Sequence, residues 1–241
     1  MFGLRSSPSN NKSEAEKPFW ISYADLMTAL MTLFLVVMVA SLISVTQKIT
    51  LETQDEKNRV KDIEIICSSL KIKAQSLNKN IVVDCRDNRV NFGEAGRFDK
   101  DGFKLKNDGA QALADIVPII LEAANSDIGD KWFKQVLIEG FTDTDGSYLY
   151  NLHLSLLRSE WVMCTLLDDK KNIGLSINQK KSVNTLFLAG GVSFNNAKES
   201  KDESRRVELK LQFYGLKEKM ENNQNVLPVF NITRPETCQI N

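Results

Sequence analysis

Two places in this 241-residue chain hold charged side chains at spacings that can do chemistry. The first is Asp25, the one charged residue between Lys17 and Lys48, followed by twenty uncharged residues at 26–45. An acid inside such a run costs roughly 2.5–3.5 kcal/mol at mid-membrane and less near an end, so its default reading is functional. Side chains three, four and seven apart share a helical face. Ser22, Thr28, Ala29 and Thr32 therefore lie with Asp25, while Leu26, Leu30, Leu33 and Val37 lie opposite. A stripe of small and polar residues suits another helix better than lipid. The second place is Asp143 with Arg158. Asp143, Asp145 and Gly146 form a loop opening a helix, and Arg158 follows Asn151 by two helical turns. A loop carboxylate and a helix guanidinium can bracket a zwitterion, the acid taking an ammonium and the arginine a carboxylate. The competing account makes Asp143 a helix cap and Arg158 half of a surface ion pair; on spacing alone it is the simpler one.

The elements that must position these groups follow from the pattern around them. Residues 26–45 are long enough for a helix to cross a bilayer, with Phe19 and Trp20 at its interface. The run exceeds the h-region of a secretory signal, about 7–15 residues, so a retained anchor is expected. The domain plan is a polar, disordered tail at 1–17, a transmembrane helix at 18–46, a linker helix at 47–80, a compact domain at 81–214 and a tail at 215–241. Within the linker, Ile63, Cys67, Leu70, Ala74 and Leu77 are spaced as a heptad seam, either between two copies or against the chain's own domain.

In the domain, strands are expected at 81–85 and 89–92 around an Asp87–Asn88 turn, then at 135–140, 186–189 and 206–213. Helices are expected at 107–124, capped by Asn107 or Asp108 and bent by Pro118, and at 149–167, burying Leu152, Leu156, Val162 and Leu166. A polar connection with a short helix covers 168–184. Strands alternating with helices give an α/β fold, with helices on one face of a small mixed sheet behind a single N-terminal transmembrane helix.

Net charge is +0, which excludes a bulk electrostatic attraction to nucleic acid. No nucleotide loop, zinc spacing or serine or cysteine with a histidine partner is present, and His153 is the sole histidine. The chain is therefore expected not to be an enzyme, and to hold no metal or cofactor. Cys67, Cys85, Cys164 and Cys238 all follow the apolar run, an even number suited to an oxidising compartment. Cys67 has two candidate partners, Cys85 and the Cys67 of a second chain. The internal bridge is slightly favoured, because Cys85 ends a strand that must lie near the preceding helix. Lysine and arginine counts on either side of the membrane run do not decide its orientation.

Two resemblances sharpen this reading. WISYADLMTALMTLFLVVM resembles the membrane segment of MotB-family stator B subunits, in which a Tyr-Ala-Asp-Phe-Met-Thr-like run opens the helix. Tyr23, Ala24, Asp25, Met27 and Thr28 match, and Leu26 stands where an aromatic is usual. The resemblance implies that Asp25 binds the transported ion, with Tyr23, Thr28 and Thr32 supporting its path; a lone carboxylate suits a proton. It also implies an inner-membrane protein with a cytoplasmic N-terminal tail, a periplasmic linker and domain, and a MotA-like partner, as a pentamer around a dimer of this chain.

The stretch IEGFTDTDGSYLYNLHLSLLRSE is similar to the OmpA-like peptidoglycan-binding domain. Gly140, Thr142, Asp143, Gly146, Asn151, Leu154, Ser155 and Arg158 fall in register, and 204–208 look like its closing Asn-Arg-Arg-Val-Glu strand. Phe141 replaces the usual His, and Ser159 the usual Ala. This resemblance implies a grip on the diaminopimelate of the wall peptide by Asp143 and Arg158, with Thr142, Tyr150, Asn151 and Leu154 around them. The short tail and compact linker look closer to Zorya anti-phage motors than to flagellar stators. A flagellar B subunit and a passive wall anchor are the alternatives.

Overall fold

A computed structural model describes residues 16–171, 173–218 and 236–240. The first fifteen residues of the expected tail, a match to the glycosylation sequon at Asn231-Ile232-Thr233 and most of the segment after 218 lie outside the described residues. The chain divides into two compact units, the first ending at Asp55 and the second beginning at Glu56.

Helix α1 (Glu16–Leu77) is 62 residues long. No glycine or proline interrupts it after Pro18, which sits in its first turn where proline is tolerated. It begins two residues inside the expected tail. In the first unit it is apolar over residues 26–45 and long enough to cross a membrane. From Glu56 onward it belongs to the second unit, where Ile66, Cys67, Leu70 and Ala74 are buried in the domain core. Of the two accounts of the heptad seam, packing against the chain's own domain is the one present; Leu77, at its end, is exposed.

The sheet of the second unit has five strands in the order β1-β2-β5-β3-β4. They are β1 (Val82–Asp84), β2 (Arg89–Asn91), β3 (Phe133–Gly140), β4 (Phe187–Gly191) and β5 (Val207–Phe213). β3 and β4 are parallel and the other pairs antiparallel, so the sheet is mixed. One face carries Val90, Val136, Ile138, Leu209 and Leu211 into a core shared with α2 (Asn107–Ala124) and α4 (Tyr148–Leu167). Alternation sends Glu139 and Glu208, opposite each other across β3 and β5, to the other face. Two facing glutamates repel. Arg89 bridges them, at 2.5 Å from Glu139 and 2.9 Å from Glu208, and Arg206 holds Glu208 at 2.7 Å.

Several expectations change in detail. α2 covers the expected residues without breaking at Pro118, but its N-cap is Lys106 and no side chain caps it. β3 starts at Phe133, directly after a short helix α3 (Asp127–Trp132) that the pattern did not show. The polar connection contains α5 (Ile177–Leu186), closed by a Ser176–Gln179 capping box, and α6 (Lys201–Ser204) precedes β5.

The face of α4 is the larger correction. Val162 and Leu166 are buried, Leu152 is half-buried, and Leu156 is exposed. The helix packs closely on the sheet at two glycines: a Cβ on Gly140 would stand 2.0 Å from the Ser155 carbonyl oxygen, and one on Gly191 2.5 Å from Ser155 Oγ and 2.7 Å from Leu156 Cγ. Small Ser155 and Ser159, with Asn151 and Arg158, fill the buried face instead.

Candidate functional site

The junction from β3 to α4 is built by short-range hydrogen bonds. Asp143 Oδ1 accepts from the backbone N–H of Asp145 at 3.0 Å, which turns the loop. Gly146 follows at φ +92°, a conformation costly for side chains that carry a Cβ. Ser147 caps α4 by accepting from the Tyr150 N–H. Asn151, one turn in, donates to the carbonyls of Asp145 and Ser147 at 2.7 and 3.2 Å. The cap belongs to Ser147, which removes capping as the role of Asp143.

Arg158 is the largest fully buried side chain among the described residues, at 0 % exposure, so it is no surface ion pair either. Its guanidinium donates to three backbone carbonyls: Phe141 at 2.6 Å, Gly102 at 2.8 Å and Asp99 at 3.3 Å. The Phe98 ring lies 4.9 Å below it. Burial pushes Arg158 down to about 10, opposed first by Asp143. It therefore stays a cation at any neutral pH. Asp143, 6 % exposed, is paired through Oδ2 with Arg205 at 3.0 Å. Arg205 also donates to the Phe98 carbonyl and to Asp202. The acid and the arginine singled out in the sequence thus sit in one pocket, each already satisfied by the chain itself.

Around them, Thr142 is buried and its hydroxyl has no hydrogen-bond partner. Tyr150 is half exposed and donates to Asp101 at 2.9 Å, closing the 99–102 loop over Arg158. Leu154 is buried. Asp145, outside, is held by Lys201 at 2.5 Å, a contact that lowers its carboxyl below the usual range. Phe141 points away from this pocket, since its ring lies 4.1 Å from the Arg206 guanidinium on the glutamate face. A histidine replaced there leaves the pocket reached through the Phe141 carbonyl alone.

In the first unit, Asp25 is exposed on α1. The Thr28 hydroxyl donates to the Asp25 carbonyl and that of Thr32 to the Ala29 carbonyl, both at 2.9 Å. These hydroxyls spend their protons on their own helix, leaving oxygen lone pairs on the Asp25 stripe. Tyr23 is exposed nearby on the helix. In the second unit, disulfides join Cys67 to Cys85 and Cys164 to Cys238.

Comparison with known proteins decides the family. The chain is 60 % identical to the Zorya protein ZorB of Escherichia coli O139:H28, over 99 % of this chain and 96 % of that one. The chain belongs to the ZorB family. Residues 5–53 also match the family described as the membrane MotB of the proton-channel complex MotA/MotB. Among solved structures, a MotB-like protein from Desulfovibrio vulgaris aligns with a TM-score of 0.43 and 16 % identity, over 66 % of this chain and 96 % of that one. The OmpA-like domain of FopA1 from Francisella tularensis aligns at 0.37 and 20 % identity, over 58 % and 87 %.

As a ZorB-family protein, the chain is a MotB-like stator B subunit of the Zorya type. What sequence reasoning missed in this ZorB-type pocket is the resting partners: Arg205 on Asp143, and the carbonyls of Asp99 and Gly102 on Arg158. The only signal was the paired Arg205–Arg206, whose targets depend on strand order.

Proposed function

We propose that this chain couples ion flow to a wall-anchored motor. Asp25 takes up the transported ion, a proton, and loses its charge; releasing the ion restores it. Tyr23, Thr28 and Thr32 line that exchange. The partner is a MotA-like A subunit, arranged as a pentamer around two copies of this chain. The N-terminus is cytoplasmic and the second unit periplasmic, in keeping with four cysteines that are all disulfide-bonded. The role is anchoring and coupling, not catalysis.

The observation that carries the anchoring half is the self-satisfied pocket. A guanidinium on Asp143 stands where a ligand ammonium would bind, and carbonyl oxygens on Arg158 stand where a ligand carboxylate would bind. A diaminopimelate end of the wall peptide exchanges for both at once. Its ammonium replaces Arg205 on Asp143, and its carboxylate replaces the Asp99 and Gly102 carbonyls on Arg158.

Retention of the full detergent-solubilised chain on purified peptidoglycan sacculi tests this. Asp143→Ala removes one charged hydrogen bond, about 1.5–3 kcal/mol, and retention is expected to fall tenfold or more. Wild-type retention in Asp143→Ala and in Arg158→Lys would remove wall binding from this pocket.

A further inference from the structure

One turn beyond Arg158, α4 carries Trp161, whose indole is met by a ring and two cations. The Phe103 ring stands edge-on at 5.8 Å. Lys104 Nζ lies 5.5 Å from the indole centroid and Lys171 Nζ 3.2 Å from it. The Lys171 ammonium is shut off from solvent and has no hydrogen-bond partner among the described residues. The nearby acid, Asp168, is engaged elsewhere: its oxygens accept from the N–H groups of Lys170 and Cys238 at 2.8 and 3.2 Å. Two like charges therefore converge on one aromatic ring, and among the described residues no side chain accepts a hydrogen bond from the Lys171 ammonium.

A cation over an indole recovers part of the cost of desolvation, but it supplies no acceptor for the ammonium protons. Burial accordingly holds the Lys171 ammonium below the usual lysine range; Asp168 opposes this and Lys104 adds to it. An anion seated between the two lysines would satisfy both.

The place is continuous with the Asp143–Arg158 pocket. Phe103 and Lys104 directly follow Gly102, whose carbonyl accepts from Arg158. Trp161 is three residues on from Arg158, about 4.5 Å of helical rise, a distance that one or two peptide residues span. We propose that Phe103, Lys104, Trp161 and Lys171 form a second anion subsite, which takes a further carboxylate of the wall peptide bound at Asp143 and Arg158. The subsite rests on the wall-binding reading of that pocket and adds the recognition of the residue preceding diaminopimelate.

Two soluble probes separate the subsite from the pocket: free diaminopimelate, and the tripeptide alanyl-γ-glutamyl-diaminopimelate, whose glutamyl residue adds a free carboxylate. Calorimetric titration of the full chain in detergent is expected to show the tripeptide binding about tenfold more tightly than diaminopimelate. Lys104→Ala and Lys171→Met should each erase most of that advantage and leave diaminopimelate binding unchanged. Lys104 is exposed, so its variant reports even where Lys171→Met fails to fold. Wild-type tripeptide affinity in Lys104→Ala would overturn the subsite while leaving the wall-binding pocket standing. Equal loss of both probes in Lys104→Ala would also overturn it, by showing a general effect on the pocket. A wild-type chain that binds neither probe would overturn the pocket itself, and the subsite with it.

Discussion

A buried guanidinium held by three carbonyls and no directly bonded carboxylate is an unusual way to keep a charge inside a protein. Arg158 survives there because each donor it spends has an acceptor, and because the Phe98 face supplies a cation–π contact. It also ties Asp99 and Gly102 to Phe141, so it fixes the loop that walls the pocket. Arg158→Met should therefore unfold the domain more easily as well as weaken wall binding. Three carbonyls would lose a charged donor, and about 3 kcal/mol of stability is the expected loss, measured by denaturant unfolding of the full chain. An unchanged midpoint would mean that the loop does not depend on this side chain. The sequence made Arg158 legible through its register in the OmpA-like motif, since spacing from Asn151 alone favoured a surface ion pair. It could not show Arg205 reaching back 62 residues to Asp143, since that contact requires β5 to pair beside β3.

Among the elements, those with a strong local period were readable. α2, α4 and β5 lie where apolar spacing and strict alternation put them, and α1 is unbroken because nothing in its sequence breaks it. Elements whose reason is tertiary were not: α3 and α6 are too short to carry a period, and the face that α4 buries depends on its close approach to Gly140 and Gly191. The lower part of α1 shows both cases. Its heptad was plain in the sequence, while its partner, the core of the same chain, was not.

Two disulfides cross-link the second unit, Cys67–Cys85 joining α1 to the segment after β1 and Cys164–Cys238 joining α4 to the last described segment. In the chain-entropy model the first, closing a loop of 18 residues, contributes about 3 kcal/mol, and the second, across 74 residues, somewhat more. Cys67→Ser with Cys85→Ser should lower the denaturant midpoint accordingly, and non-reducing electrophoresis of the wild type should show a monomer. A disulfide-linked dimer lost in Cys67→Ser would place the first bridge between chains.

At the scale of the whole molecule, the chain joins one acid in the otherwise uncharged run 18–47 of α1 to a domain whose pocket is charged, buried and self-satisfied. A wall anchor alone has no use for Asp25, while an ion-driven motor depends on it. Asp25→Asn keeps the size and hydrogen-bonding shape of the side chain and removes its ionisation. The decisive measurement is phage protection by cells carrying Asp25→Asn, with expression, membrane insertion and co-purification of the A subunit checked alongside. Coupling through Asp25 predicts normal assembly and complete loss of protection; protection at the wild-type level by an assembled Asp25→Asn complex would contradict it.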